Sequence, residues 1–196
     1  MMEKTARQAR LDRQRNQQRR GQTKWLVYIV IGAVVVVGLL IVSNIARGLA
    51  TGPIVSPSPR TYGQQSGNVL GDPNAPVQLI EIGDFQCPVC KIAYQQLEKQ
   101  VITQYVDTGK VSYTFEAVGY LDGTGNLEST HSAQAAYCAG AQNKFWEYHD
   151  YLYTNQAAAE RSGGFADDRL LAMAKSLGLD MGAFNSIWRR LALVHG

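Results

Sequence analysis

The chain has 196 residues and a formal net charge of +3, enough for one ordinary domain plus an appendage. Its three cysteines are too few for a disulfide scaffold, which excludes the small cystine-stapled secreted folds. The charge is divided: residues 1–24 carry eight Lys/Arg against Glu3 and Asp12, for +6, whereas residues 48–196 carry ten against fourteen acids, for −4. A basic tail ahead of an acidic domain points to two compartments or two partners.

After the Arg/Gln-rich tail, residues 25–46 carry no charge, and 25–42 (WLVYIVIGAVVVVGLLIV) are apolar apart from glycines and one tyrosine. A bilayer core needs about 20 apolar residues in a helix. A single transmembrane helix is therefore expected over 25–46, with Trp25 and Tyr28 at one headgroup layer. By the positive-inside rule residues 1–24 form a cytoplasmic tail and 47–196 lie outside. A cleaved signal peptide is the open alternative, with small residues near Ala46 and Ala50. No cysteine follows the apolar run, which argues against a lipoprotein anchor. The tail's position beside a span favours topology control and anionic lipid over nucleic acid, so no nucleic-acid partner is expected. Residues 47–70, rich in Gly, Pro, Ser and Gln beyond residue 50, read as a flexible linker.

The folded domain is expected over 71–196. Gly71 to Pro76 is a run of turn formers, and Val77 to Ile82 reads as a central strand, apolar on both faces. A short loop leads to Cys87-Pro88-Val89-Cys90, where Pro88 suits the first turn of a helix. Val89, Ala93, Leu97, Val101 and Tyr105 recur every fourth residue and predict a helical stripe ending near Gly109. Val111 to Val118 is β-branched and aromatic and predicts a strand parallel to the first. Helices follow over roughly 130–140, 143–155, 167–177 and 181–191.

Two cysteines at a loop-to-helix boundary suit redox chemistry. Free N–H groups at a helix start stabilise a thiolate, the reactive form of cysteine. Cys87 would be the exposed nucleophile and Cys90, one turn inside, the resolving thiol within disulfide reach. The competing reading is a metal-binding module on Cys87, Cys90 and a third ligand. A structural zinc site needs four ligands, and only Cys138, His131, His149 and His195 remain, widely scattered. Asp84 reads as a helix cap, Phe145, Trp146, Tyr148, Tyr151 and Leu152 as core, and His131 and His149 as surface or structural. Trp188, Arg189 and Arg190 fit a solvated last helix, with a lipid or partner contact as the alternative.

The blocks Gly71-Asp72-Pro73-Asn74-Ala75-Pro76-Val77 and Asp84-Phe85-Gln86-Cys87-Pro88-Val89-Cys90 resemble the opening of a DsbA-like thiol–disulfide oxidoreductase. Ala135 to Gly140 and Lys144 to Asp150 are similar to that family's inserted helical domain, here about 126–191. The resemblance implies an α/β thioredoxin-like fold with a helical insertion and an extracytoplasmic location. It implies Cys87 and Cys90 as catalytic residues, with Pro88 and Val89 as the spacer that tunes redox poise. With no histidine in that spacer, the extreme oxidising potential is not expected.

Glu81, six residues before Cys87, resembles the family's buried carboxylate that assists proton transfer at Cys90; on the residues alone it is equally a satisfied strand-end glutamate. Cysteine-containing proteins are the implied substrates, and a membrane redox partner, quinone-linked for example, the implied electron acceptor. No cofactor is implied, because the cysteines carry the electrons. In relatives the residue matching Cys138 pairs with one matching Ile187, so Cys138 is expected to be a buried free thiol.

The family also has a cis-proline loop, two further strands and a closing helix after the insertion. No proline follows Pro88, and from Ile187 the resemblance fades. The expectation is a fold missing that part, with a non-catalytic remnant as a further alternative and an exposed sheet edge prone to association.

Overall fold

The computed structural model describes Trp25, residues 28–43 and residues 52–195, with side chains up to Leu191. It divides into two units, residues 1–49 and 50–196. In the first, residues 28–43 form helix α1, whose large apolar side chains are exposed. Among the described residues, no helix is long and apolar enough to cross a membrane. The span expected over 25–46 is therefore not found as such; its residues 26, 27 and 44–46, like the basic tail, lie outside the described residues.

The second unit is a mixed α/β domain. Its strands are β1 (Gln65–Ser66), β2 (Val69–Leu70), β3 (Val77–Gly83) and β4 (Val111–Ala117), ordered β1-β2-β4-β3. β3 and β4 are parallel from Val77↔Val111 to Gly83↔Ala117, as a βαβ unit requires. The crossover begins with α2 (Pro88–Ala93) and continues through Tyr94–Glu98 in π winding, α3 (Lys99–Val101) and Ile102–Val106 in π winding. Then come α4 (Glu128–Gly140), α5 (Phe145–Thr154), α6 (Asp167–Ser176) and α7 (Met181–His195), close to the expected ranges.

Three expectations are corrected. First, β3 is an edge strand, not a central one: Val77, Leu79, Ile80 and Ile82 are exposed. Its β-branched, apolar composition suits two covered faces, but among the described residues only β4 pairs with it. Second, the crossover helix does not bury the expected stripe. Val89, Leu97 and Tyr105 are exposed, whereas Glu98, Ile102 and Val106 are buried, with Tyr94 packed against the core. This second row also repeats every four residues. A period of four drifts around a 3.6-residue helix, and the two wider π segments keep it on one face.

Third, residues 52–70 are docked on the domain instead of forming a free linker. The Val55 N–H donates to Asn155 Oδ1 and Asn155 Nδ2 donates back to the Val55 carbonyl, both at 2.8 Å. The Arg60 guanidinium lies 2.7 Å from Glu98 Oε1, and the Tyr62 hydroxyl donates to Asp150 Oδ2 at 2.9 Å. The same stretch supplies β1 and β2. Gly67, with φ +57, opens their two-residue turn with Asn68, a glycine-first hairpin signal that the reading of this stretch as linker overlooked.

The core is aromatic. Phe85, Phe115, Phe145, Trp146 and Tyr153 are fully buried, and His149 sits among them, its ring centroid 4.7 Å from that of Phe115. Phe145, Trp146, Tyr148, Tyr151 and Leu152 are core residues as expected, because α5 is enclosed on nearly all sides. Cys138 is a fully buried free thiol, and burial pushes it up to about 11. Trp188 is partly buried against the core, stacked on Phe184 at 5.7 Å between centroids, which leaves little of it for a lipid contact.

Candidate active site

The cysteine pair stands where β3 ends and α2 begins. Gly83 closes the strand because there is no room for more: a Cβ there would lie 2.6 Å from the Phe115 ring. The next residue, Asp84, is completely buried and acts as a hub. Its Oδ1 accepts from the Gln86 N–H at 2.8 Å and the Ser129 hydroxyl at 2.7 Å, and its Oδ2 accepts from the Leu121 N–H at 2.9 Å. Asp84 is thus not the helix cap that the sequence suggests. Cys87 itself is the N-cap, its Sγ accepting from the Cys90 N–H at 3.4 Å. Pro88 takes the first helical position, where its missing N–H costs nothing.

Gln156, from the loop after α5, clamps the same loop. Its Nε2 donates to the carbonyls of Phe85 and Cys87, at 2.6 and 3.0 Å. A groove of about 730 Å³ opens beside the pair, between Pro88, Lys91 and Ile92 of α2 and the Gln156–Arg161 stretch.

Cys87 and Cys90 are both free thiols with opposite electrostatics. Burial raises the Cys87 thiol, but hydrogen bonds from the Tyr120 hydroxyl, the Cys90 N–H and thiol and the Val89 N–H outweigh it, so its net shift is downward. Cys90 is pushed up to about 11, by burial first and then by the nearby Cys87 and Glu81 charges, against one favourable backbone bond at Asp84. Cys87 therefore ionises first. Cys87, expected to be exposed enough to attack or be attacked, is only 8% exposed, and Cys90 is half-buried. The sequence reading also missed Tyr120, which sits in an unpatterned Gly-rich loop; no periodicity could have flagged it.

Glu81 lies half-buried in β3 and accepts a hydrogen bond from the Tyr113 hydroxyl of β4. Its charge adds to the upward shift of Cys90, after burial and Cys87. Among the described residues, the side chains within metal-holding reach of one another are Glu98, His149 and Asp150, and neither cysteine of the pair is among them. Arg60, 2.7 Å from Glu98 and 3.5 Å from Asp150, already supplies positive charge there. His131 pairs with Asp167 at 2.7 Å, away from the cysteines.

The family model for thioredoxin matches residues 64–190, which takes in all four strands and the cysteine pair. The chain belongs to the thioredoxin family. Disulfide bond formation protein D of Bacillus subtilis (strain 168) is 29% identical to this thioredoxin-family chain over 107 residues, covering 55% of the chain and 46% of the relative. The Na(+)/H(+) antiporter NhaA 1 of Salinispora arenicola is 33% identical over 117 residues, covering 60% of the chain but only 16% of the antiporter. Among solved structures, oxidised BdbD from Bacillus subtilis superposes with a TM-score of 0.54 at 23% identity, covering 66% of this chain and 68% of that one. These likenesses give the chain a thioredoxin-like fold with a helical insertion. It spans about half the length of the Bacillus disulfide bond formation proteins it matches.

Proposed function

We propose that the chain is a thiol–disulfide oxidoreductase that exchanges disulfides with cysteine-containing proteins through Cys87-Pro88-Val89-Cys90. One observation carries the reading: at a single helix start, one thiol is lowered and its partner is raised to about 11. In the disulfide form, a substrate thiolate attacks Cys87 Sγ; the Cys87–Cys90 bond breaks and Cys90 leaves as a thiolate that takes up a proton. A second substrate thiolate then attacks the sulfur bound to Cys87, forming the substrate disulfide and releasing the Cys87 thiolate. Two electrons pass from the substrate to the cysteine pair. A lowered Cys87 favours this direction, because a stabler thiolate is a better leaving group and stabilises the reduced enzyme. Glu81 serves as the proton relay to Cys90. Re-oxidation falls to a membrane redox partner, for which a quinone-linked protein is the reading.

The same proposal places the domain outside a cell membrane, tethered by residues 25–46 with residues 1–24 in the cytoplasm. Support comes from the eight basic residues ahead of the uncharged run and from the exposed apolar surface of α1. The test of the chemistry is mixed-disulfide trapping with Cys90→Ala in cells. Cys87-dependent adducts with cysteine-containing proteins, resolved by reductant, are expected; their absence sinks the reading. Labelling of intact cells with a membrane-impermeant maleimide tests the location, and only an extracytoplasmic domain reacts.

A further inference from the structure

The groove beside the cysteine pair has one wall on α2 and the other on the loop after α5, and that loop is tied to the Cys87 turn at both ends. At one end Gln156 Nε2 donates to the carbonyls of Phe85 and Cys87. At the other the Arg161 N–H donates to Gln86 Oε1 at 2.6 Å. Gln86 is buried, and its own Nε2 donates to the Ser129 hydroxyl at 2.7 Å. The groove is therefore held open by its own hydrogen bonds. Its volume of about 730 Å³ is that of a cleft that takes a ligand. Gln86 and Pro88, the chain neighbours of Cys87, both line it, so it begins beside the nucleophile.

Charge singles out one lining residue. Glu160 and Arg161 stand 3.9 Å apart and offset one another. Lys91 has no such partner: among the described residues no carboxylate makes an ion pair with its ammonium, which donates to the Gln156 carbonyl at a long 3.4 Å. Lys91 is half-buried, so its charge is screened less than that of a surface lysine. This unmatched positive charge stands in a stretch, residues 48–196, that sums to −4. Ala157, Ala158 and Ala159 put nothing larger than a methyl group on the facing wall, which leaves room for a side chain to reach it.

We propose that the groove takes the substrate segment flanking the exchanging cysteine, and that Lys91 is a specificity-determining residue that pairs with an acidic side chain on that segment. This rests on the oxidoreductase reading of the cysteine pair and names its substrate class: chains with Asp or Glu close to the reacting cysteine. As the substrate thiolate attacks Cys87 Sγ, the Cys87–Cys90 bond breaks, and Cys90 leaves with the electron pair and takes up a proton. Lys91 exchanges neither proton nor electron. It attracts the carboxylate as the substrate arrives and holds it in the mixed disulfide.

The test follows the opening of the Cys87–Cys90 disulfide in the oxidised full chain by single-cysteine peptide thiols. The peptides differ only in an Asp, Asn or Lys near the cysteine, placed at one flanking position at a time. Each rate is divided by that of the same peptide with uncharged hydroxyethyl disulfide, which removes the neighbour's effect on the peptide thiol itself. At one position or more, the Asp peptide is expected to react about threefold faster than the Asn peptide, and the Lys peptide more slowly. Lys91→Met is expected to abolish this preference, Lys91→Glu to reverse it, and about 0.5 M salt to flatten it. Lys99→Met, which alters an exposed lysine outside the groove, is expected to keep it. No preference in the parent chain, a preference that survives in Lys91→Met, or an equal loss in Lys99→Met overturns the proposal. Peptides that all open the disulfide alike leave the oxidoreductase reading standing, whereas peptides that do not open it at all remove both.

Discussion

Asp84 Oδ2 accepts the Leu121 N–H at 2.9 Å, and through this bond the loop after β4 is tied to the loop that presents Cys87. The carboxylate also accepts from the Gln86 N–H and the Ser129 hydroxyl, and it is wholly buried. Asp84→Ala leaves two buried donors and one part-buried donor without this acceptor. A loss of about 3 kcal/mol in urea unfolding is expected, together with slower alkylation of Cys87. Asp84→Asn keeps one oxygen acceptor and is expected to lose less. Equal stability of Asp84→Ala and the parent chain would contradict the hub.

The cysteine pair gives the reduced domain a pH dependence with two limbs. Cys87 is lowered from an ordinary 9.0, so its contribution is present above that value and is lost as pH falls through its folded-state range. Cys90 is raised to about 11 from 9.0, so its contribution is whole below 9.0 and is lost as pH rises toward 11. The stability difference between reduced and oxidised domain is therefore expected to climb with pH up to about 9 and to fall beyond it. Cys138, raised by burial in both forms, cancels in the difference. Denaturant titrations of both forms across this range provide the check.

Arg60 sits in the stretch whose composition suggests a linker, yet it lies 2.7 Å from Glu98 and 3.5 Å from Asp150, both almost fully buried. Burial raises the Glu98 carboxyl, against the favourable charges of His149 and Arg60. Arg60→Met removes that positive charge, and a loss of about 3 kcal/mol is expected. The same variant with Glu98→Gln is expected to recover part of the loss, because the stranded carboxylate is gone. A neutral Arg60→Met would show that the Arg60 charge contributes nothing to holding residues 52–62 on the domain.

Ile80 and Ile82 are 62% and 69% exposed on an edge strand. An unpaired apolar edge invites pairing between copies. Ile80→Lys with Ile82→Glu is expected to lower light scattering of the 50–196 unit at high concentration while changing stability by less than about 0.5 kcal/mol. Unchanged self-association would show that this edge does not drive it.

Local chemistry made much of this legible. The β3–α2–β4 unit, the four later helices within a few residues and the burial of Cys138 all follow from periodicity, turn formers and the rarity of exposed thiols. What failed depended on neighbours distant in the chain. Asp84 has the ordinary look of a cap, and only the approach of Leu121 and Ser129 makes it a hub. The stripe from Val89 to Tyr105 and the row from Tyr94 to Val106 share the same period, so spacing cannot say which faces the core. Gly, Pro and Ser between residues 51 and 63 read as linker because composition does not record a docking surface.

The sequence by itself determined that Cys87 and Cys90 stand at a helix start, because Pro88 and the preceding strand leave the chain little other choice. Which of the two ionises first, and with whose help, was decided only by tertiary structure. A thiol's ionisation depends on the donors and charges within a few ångströms of its sulfur. Tyr120 comes from thirty-three residues farther along the chain, and the Glu81 carboxylate acts on Cys90 from the preceding strand.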